Sequence, residues 1–241
     1  MLTIWKSLVR SQAEYASILW SPTDATNIRN LENVQRRFTS KFAQFRKFNP
    51  STGYTECQVD YWESLQKLKL YSLQRRRERY MLCYNMYKIH SGMVPDLGFL
   101  SDNGRNGVKY FAKENPQAPK KTQNIRKSSF FTQGPLLFNL LPMKLREPVT
   151  TSTPEEEKKN KDRFKRWLDK WLELIPDQPT TPGLTHRTAD SNKLVDQVRA
   201  HKREIAEKWK AVEKKLIEEE KKAEEARNRE REDAENNGEQ R

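Results

Sequence analysis

Ser72-Leu73-Gln74-Arg75-Arg76-Arg77-Glu78-Arg79-Tyr80 runs on through Met81-Leu82-Cys83-Tyr84-Asn85-Met86-Tyr87-Lys88-Ile89-His90, and the fold turns on this stretch. Ser72 is a good N-cap, because a serine hydroxyl accepts from an amide of the first turn. From Leu73 to about His90, Leu82, Met86 and Ile89 recur at helical spacing, with Tyr80, Tyr84 and Tyr87 beside them. Gly92 and Pro95 end the pattern. Three consecutive arginines therefore fall in the first turn of a helix. Backbone N–H groups there carry partial positive charge, which disfavours each cation by about 0.3–1 kcal/mol. An anion at that end reverses the argument, because the amides and the guanidinium forks then point at one phosphate. The competing account is local neutralisation by acids such as Glu63 and Glu78.

Before this helix, the spacing predicts a first helix from about Thr3 to Ala16, broken by Ser21-Pro22. A second starts at Asp24 or Thr26 and carries Ile28, Leu31, Val34, Phe38 and Phe42 on one side. Its other side presents Arg29, Arg36, Arg37 and Lys41, a second basic cluster. Asn49 to Gly53 reads as a turn, and Tyr61 to Leu68 as a short helix.

After this helix, residues 96–127 lack helical periodicity. They read as an irregular loop with one weak hairpin, Val108 to Phe111 against Gln123 to Arg126. Ser128-Ser129 can cap a helix from Phe130 to Leu141. Pro154 suits the first position of another helix, with Glu155, Glu156 and Glu157 placed for its dipole. That helix holds Phe164, Trp167, Leu168, Trp171 and Leu174, and ends before Pro176. Residues 176–188 are a Pro/Thr-rich linker. From about Asp190 one long charged helix follows, with Val195, Val198, Ile205, Trp209, Val212 and Leu216 as its seam. Glu204–Lys208, Glu218–Lys222 and Glu225–Arg229 fall at the i,i+4 spacing of favourable pairs. A coiled coil with a partner and an isolated charged helix both fit residues 190–241.

Composition agrees with a mainly α fold. Only 8 glycines in 241 residues leave few tight turns for a β-sandwich, and 34% hydrophobic against 33% charged leaves no core running end to end. The net charge of +13 is unevenly placed. From Arg199 onward basic and acidic residues balance at 13 each, so the whole excess lies in the first 198 residues. Such an excess is the footprint of a polyanion binder. Cys57 and Cys83 lack metal-ligand spacing and form no disulfide framework, which fits a reducing, intracellular compartment. No apolar run approaches the ~20 residues of a membrane span, and Met1 to Leu8 is too short for a signal peptide.

Catalytic signals are mostly missing. Two-metal phosphoryl transfer needs closely placed carboxylates. The sequence has no Asp-Asp pair, and Asp60, Asp96 and Asp102 lie near turns without a partner spacing. Gly104 and Gly107 do not form a phosphate loop. His90, His186 and His201 are scattered, and neither cysteine has a nearby histidine. No cofactor is expected.

Several stretches have a family likeness. They include Leu8-Val-Arg-Ser-Gln-Ala-Glu-Tyr15-Ala-Ser-Ile-Leu-Trp20-Ser-Pro22, Leu31-Glu32-Asn-Val-Gln35-Arg36-Arg37-Phe38-Thr39, Tyr61-Trp62-Glu-Ser-Leu65 and Arg75-Arg-Arg77-Glu-Arg79-Tyr80. Leu137-Phe-Asn139-Leu-Leu-Pro142 and Phe164-Lys-Arg-Trp-Leu-Asp169, then Ile175-Pro176-Asp177, continue it. Over about residues 3–198 the chain resembles the region after the palm in reverse transcriptases of non-LTR (LINE-type) retrotransposons. It departs at Ser64, where the family usually has arginine, and at Phe138, where tryptophan is frequent. The tail after Arg199 lies outside the likeness.

The resemblance implies a parent RNA-directed DNA polymerase with an endonuclease, whose metal-binding aspartates lie upstream of the matched region. It implies a thumb-like helical region over 1–92, an irregular segment over 93–128 and a C-terminal helical extension over 129–176. A linker over 177–189 and the charged helix over 190–241 complete the expected organisation. The expected function is a truncated, non-catalytic fragment that grips RNA, DNA or hybrid duplex without reading sequence. Its expected phosphate contacts are Arg36, Arg37, Lys41, Arg75, Arg76, Arg77 and Arg79. The rival expectation is an interaction protein working through residues 190–241.

Overall fold

The computed structural model describes residues 2–22, 24–95, 98–105, 107–113, 117, 119–149, 153–179 and 192–238. Helices dominate, as predicted. The chain opens with α1 (Leu2–Ile4), a wide π-helical stretch Trp5–Val9, α2 (Arg10–Glu14) and α3 (Ser17–Trp20). A left-handed residue, Ala16, turns the chain before α3. α4 (Ala25–Thr39) starts on Asp24, whose carboxylate accepts from the Asn27 amide at 2.9 Å. Trp5 stacks on Phe38 with ring centroids 4.5 Å apart, tying the first rod to α4.

The expected turn near Asn49–Gly53 is flanked by a hairpin, β1 (Arg46–Asn49) against β2 (Tyr54–Cys57). Four-residue strands with largely exposed side chains carry no apolar alternation, so periodicity could not find them. α5 (Tyr61–Leu68) is capped by Asp60. The central rod follows the prediction: α6 (Leu73–Tyr80), a π-helical stretch Met81–Met86 and α7 (Tyr87–His90). Ser72 Oγ accepts from the Arg75 amide at 3.0 Å.

The second hairpin corrects an expectation. β4 (Gly107–Phe111) pairs with β3 (Leu100–Gly104), and Gln123–Arg126 lies instead in α8 (Lys120–Ser128). Closing a short loop costs less entropy than bringing a distant segment alongside, and Gly107 takes the positive φ of 81° that the tight connection uses. α8 has little apolar surface, so hydrophobic spacing gave no sign of it. α9 (Phe130–Phe138) ends three residues before the predicted Leu141. At Gly134 of α9 a Cβ would meet Met86 Sδ and the Phe130 ring at 2.8 Å, so the missing side chain lets α9 press against the central rod.

α10 (Pro154–Leu172) has the expected acidic first turn, and Thr153 Oγ1 accepts from the Glu156 amide at 3.2 Å. The Pro/Thr-rich linker falls largely outside the described residues. The tail pattern divides at His201 into α11 (Leu194–Ala200) and α12 (Lys202–Gly238). Glu204–Lys208 and Glu218–Lys222 pair as expected.

One core joins the central rod, the second hairpin, α9, α10 and the tail. Leu82, Met86, Phe138, Leu168, Leu172 and Leu194 are buried in it. A smaller cluster of Tyr61, Leu65 and Leu70 sits under α5. The seam expected to meet a partner is largely spent inside the chain. Ile205, Trp209 and Leu216 are buried in the main core, and Trp209 meets Trp167 of α10 edge-on at 6.1 Å. Glu220 fastens the same contact, accepting from Trp167 Nε1 at 2.7 Å, Arg166 at 2.6 Å and Arg163 at 3.0 Å. Residues 221–229 are exposed. No helix among the described residues is long and apolar enough to cross a membrane.

Candidate nucleic-acid interface

The arginine-rich turn of α6 does have anions at its start, but the chain supplies them. Glu32 of α4 accepts from the Leu73 amide at 3.2 Å, the Gln74 amide at 2.6 Å and the Tyr61 hydroxyl. Asp177, just past α10, accepts from the Ser72 amide and hydroxyl, both at 2.7 Å. Two carboxylates thus occupy the helix end that the sequence reading left for a phosphate, and they satisfy the dipole in the same way.

The arginines themselves are absorbed into the protein. Arg75 is wholly buried; it donates to the Ile175 carbonyl at 3.2 Å and the Pro176 carbonyl at 2.8 Å. Arg77 is buried as well and donates to Gln74 Oε1 at 2.8 Å. Arg76 is half-buried in a two-pronged pair with Glu14. Arg79 makes the same fork with Asp169, which raises its already high pKa. The expectation that Arg75, Arg76, Arg77 and Arg79 face a phosphate is therefore corrected. Three of them, Arg75, Arg76 and Arg79, pin the segment after α10, α2 and α10 itself to one rod, while Arg77 bonds within α6. A planar guanidinium with five donors suits such multiple anchoring.

Glu78 belongs to the same system. It accepts from Gln74 Nε2 at 2.8 Å and from the Leu194 amide at 3.1 Å, so it holds the start of α11. Burial pushes its carboxyl up to about 7, against partial opposition from Arg75. Burial raises the Glu32 carboxyl too. Neither acid faces a cleft, and perturbed carboxylates in an ion-pair network need no catalytic explanation. Cys83 is buried in the core, where desolvation lifts its thiol to about 11 and makes it a poor nucleophile. His90 Nε2 donates to the Glu147 carbonyl at 2.7 Å, and burial lowers its pKa. Among the described residues no cluster of three His, Cys, Asp or Glu could hold a metal ion.

The other predicted cluster has a different fate. Arg36, Arg37 and Lys41 are exposed, and none forms an ion pair with a described carboxylate. The Arg36 guanidinium lies over the Tyr61 ring, 4.9 Å from its centroid, so its charged head is held against the protein although the residue as a whole is exposed. α4 ends at Thr39, short of the predicted Phe42, so Lys41 lies in the turn just past the helix rather than on its surface. The inner side of α4 carries Glu32, Gln35 and Thr39, all buried. Gln35 donates to the Tyr71 carbonyl at 3.0 Å, so α4 is held rigidly against the start of the central rod. The result is a stiff helix with cations outward and a carboxylate inward.

Sequence spacing could separate these two clusters only in part. Both looked like basic helix faces. What it missed were the acids Glu14, Asp169 and Asp177, whose distance in sequence from α6 hid their contact with it. No family model, curated protein or solved structure matches this chain.

Proposed function

We propose that this chain is a truncated fragment of a retrotransposon RNA-directed DNA polymerase, without polymerase or endonuclease active site, that binds nucleic-acid backbone through α4. The supporting observation is the trio Arg36 and Arg37, in the last turn of α4, and Lys41, just past it: all exposed and unneutralised, at the end of a helix locked from behind by Glu32 and Gln35. Its contacts are to phosphates, so it positions a duplex and reads little sequence. The positive excess in the first 198 residues adds long-range attraction to the same polymer. A protein partner for residues 190–241 would have to be met by the charged surface beyond Leu216, since the apolar seam before it is covered.

The test is binding of a labelled RNA–DNA hybrid followed by anisotropy between 50 and 200 mM salt, conditions chosen on the order of those that expose counterion release. Affinity should fall steeply with salt and vary little between sequences. The triple substitution Arg36→Gln, Arg37→Gln, Lys41→Gln should flatten the slope of log affinity against log salt by about 2–3. Binding that is absent, independent of salt or untouched by the triple substitution would remove the reading.

A further inference from the structure

A second surface, remote in sequence from α4, has the chemistry of a base-binding cleft. It lies between the start of the second hairpin and α8, with a volume of about 500 Å³, inside the roughly 300–1,000 Å³ range of small-molecule sites. Phe99, Ile125 and Phe131 give it apolar walls, and Lys113, Thr122 and Arg126 give it a polar edge. Thr122, Ile125, Arg126 and Ser129 recur at three- and four-residue spacing, so one side of α8 and the residue after it form a continuous wall. The Phe99 and Phe131 rings are tilted at 52° with centroids 6.0 Å apart. Phe99 is buried and fixed, while Phe131 is 43% exposed. A partly exposed ring at the mouth of an apolar cleft offers a surface on which a flat aromatic group can stack.

Among the described residues, the charged ones in the lining of the cleft are both cations, Lys113 and Arg126. From Gln117 to Arg146 the sequence contains six basic residues and no acid. Lys113, Lys120, Lys121 and Lys127 are exposed. Arg126 donates to the Lys113 carbonyl, which sets its guanidinium plane at the rim. Apolar walls alone would suit many ligands. Two cations at the edge of an apolar cleft suit an anion that also carries flat aromatic groups.

We infer that this cleft takes an unpaired base of single-stranded nucleic acid, stacked on Phe131, with the flanking phosphates on Lys113 and Arg126. The inference rests on the reading that the chain binds nucleic acid, and adds a preference that α4 cannot supply. A duplex keeps its bases inside, so it can use the cations of α4 but not this cleft. Stacking on an aromatic side chain tolerates every base, because every base has a π-face.

The experiment compares the full chain with Phe131→Leu, which keeps apolar bulk and removes the ring, and with Ile125→Glu, which puts a carboxylate at an exposed wall position. Labelled oligo(dT) and a hybrid duplex of equal length are the probes. Phe131→Leu and Ile125→Glu should each weaken oligo(dT) binding by about tenfold and leave the duplex unchanged. Oligo(dT) binding that both variants retain in full, alongside intact duplex binding, would overturn the cleft and spare the α4 reading. Failure of the wild type to bind either probe would remove both. If an acidic, phenylalanine-containing peptide binds and only that binding responds to Phe131→Leu, the cleft is a peptide site and the inference is wrong.

Discussion

The Gln74 amide donates to Glu32 at 2.6 Å, so an acid on α4 closes the start of a helix that begins forty residues later in the chain. The same carboxylate takes the Leu73 amide and the Tyr61 hydroxyl. It is the point at which three helices meet. Replacing Glu32 by Ala leaves these buried donors without an acceptor and should cost about 3 kcal/mol. Glu32→Gln retains one carbonyl oxygen and should cost less. Urea midpoints order the three proteins; equal midpoints would mean that the acid does not hold the junction.

The two arginine clusters should separate cleanly in stability. Arg75→Ala removes a buried cation that satisfies two carbonyls near Pro176 and leaves Asp177 unbalanced, at a cost of about 3–5 kcal/mol. Arg37→Gln changes an exposed side chain and should stay within about 0.5 kcal/mol of wild type. Thermal melting measures both. A loss of nucleic-acid binding in Arg75→Ala would then report unfolding, whereas a loss in Arg37→Gln would report a lost contact.

Stability should fall as pH rises through the neutral range. The Glu78 carboxyl sits at about 7 in the folded chain against an ordinary 4.5, so the folded state holds its proton more tightly than the unfolded state. Its favourable contribution is complete below about pH 4.5 and is lost as pH rises through about 7, on the order of 3 kcal/mol in all. Glu32 is shifted in the same direction. Glu78→Gln should flatten the difference between urea midpoints taken at pH 5 and pH 7.5. An identical pH response in wild type and variant would refute this assignment.

The tail should behave as part of the core. Trp209→Ala empties a buried site against Trp167 and should cost about 3–5 kcal/mol. Limited proteolysis should then cut within α12, well before the positions cut in wild type. The wild-type chain should sediment as a monomer, because the seam that would zip two tails together is already covered by α10. A stable dimer would contradict that use of the seam.

Residues near in sequence settled the helices. Ser72, Asp24 and Pro154 mark real helix starts, and the Leu82, Met86, Ile89 strip marks a real buried side, because caps and periodicity act within one or two turns. The exposure of Arg36 and Arg37 on α4 was legible in part: the helix is real, but its buried side is Glu32, Gln35 and Thr39 rather than the predicted apolar residues, and Lys41 lies past its end. Where the carboxylates went was not. Glu14, Glu32, Asp169 and Asp177 reach α6 from across the chain, and charge attracts by distance in space, which no local pattern records. Tertiary structure alone therefore decided that the arginines of α6 bind the protein while those of α4 face water. It also decided that the seam of α12 meets α10: an amphipathic helix specifies an apolar neighbour, and only the packed chain specifies which one.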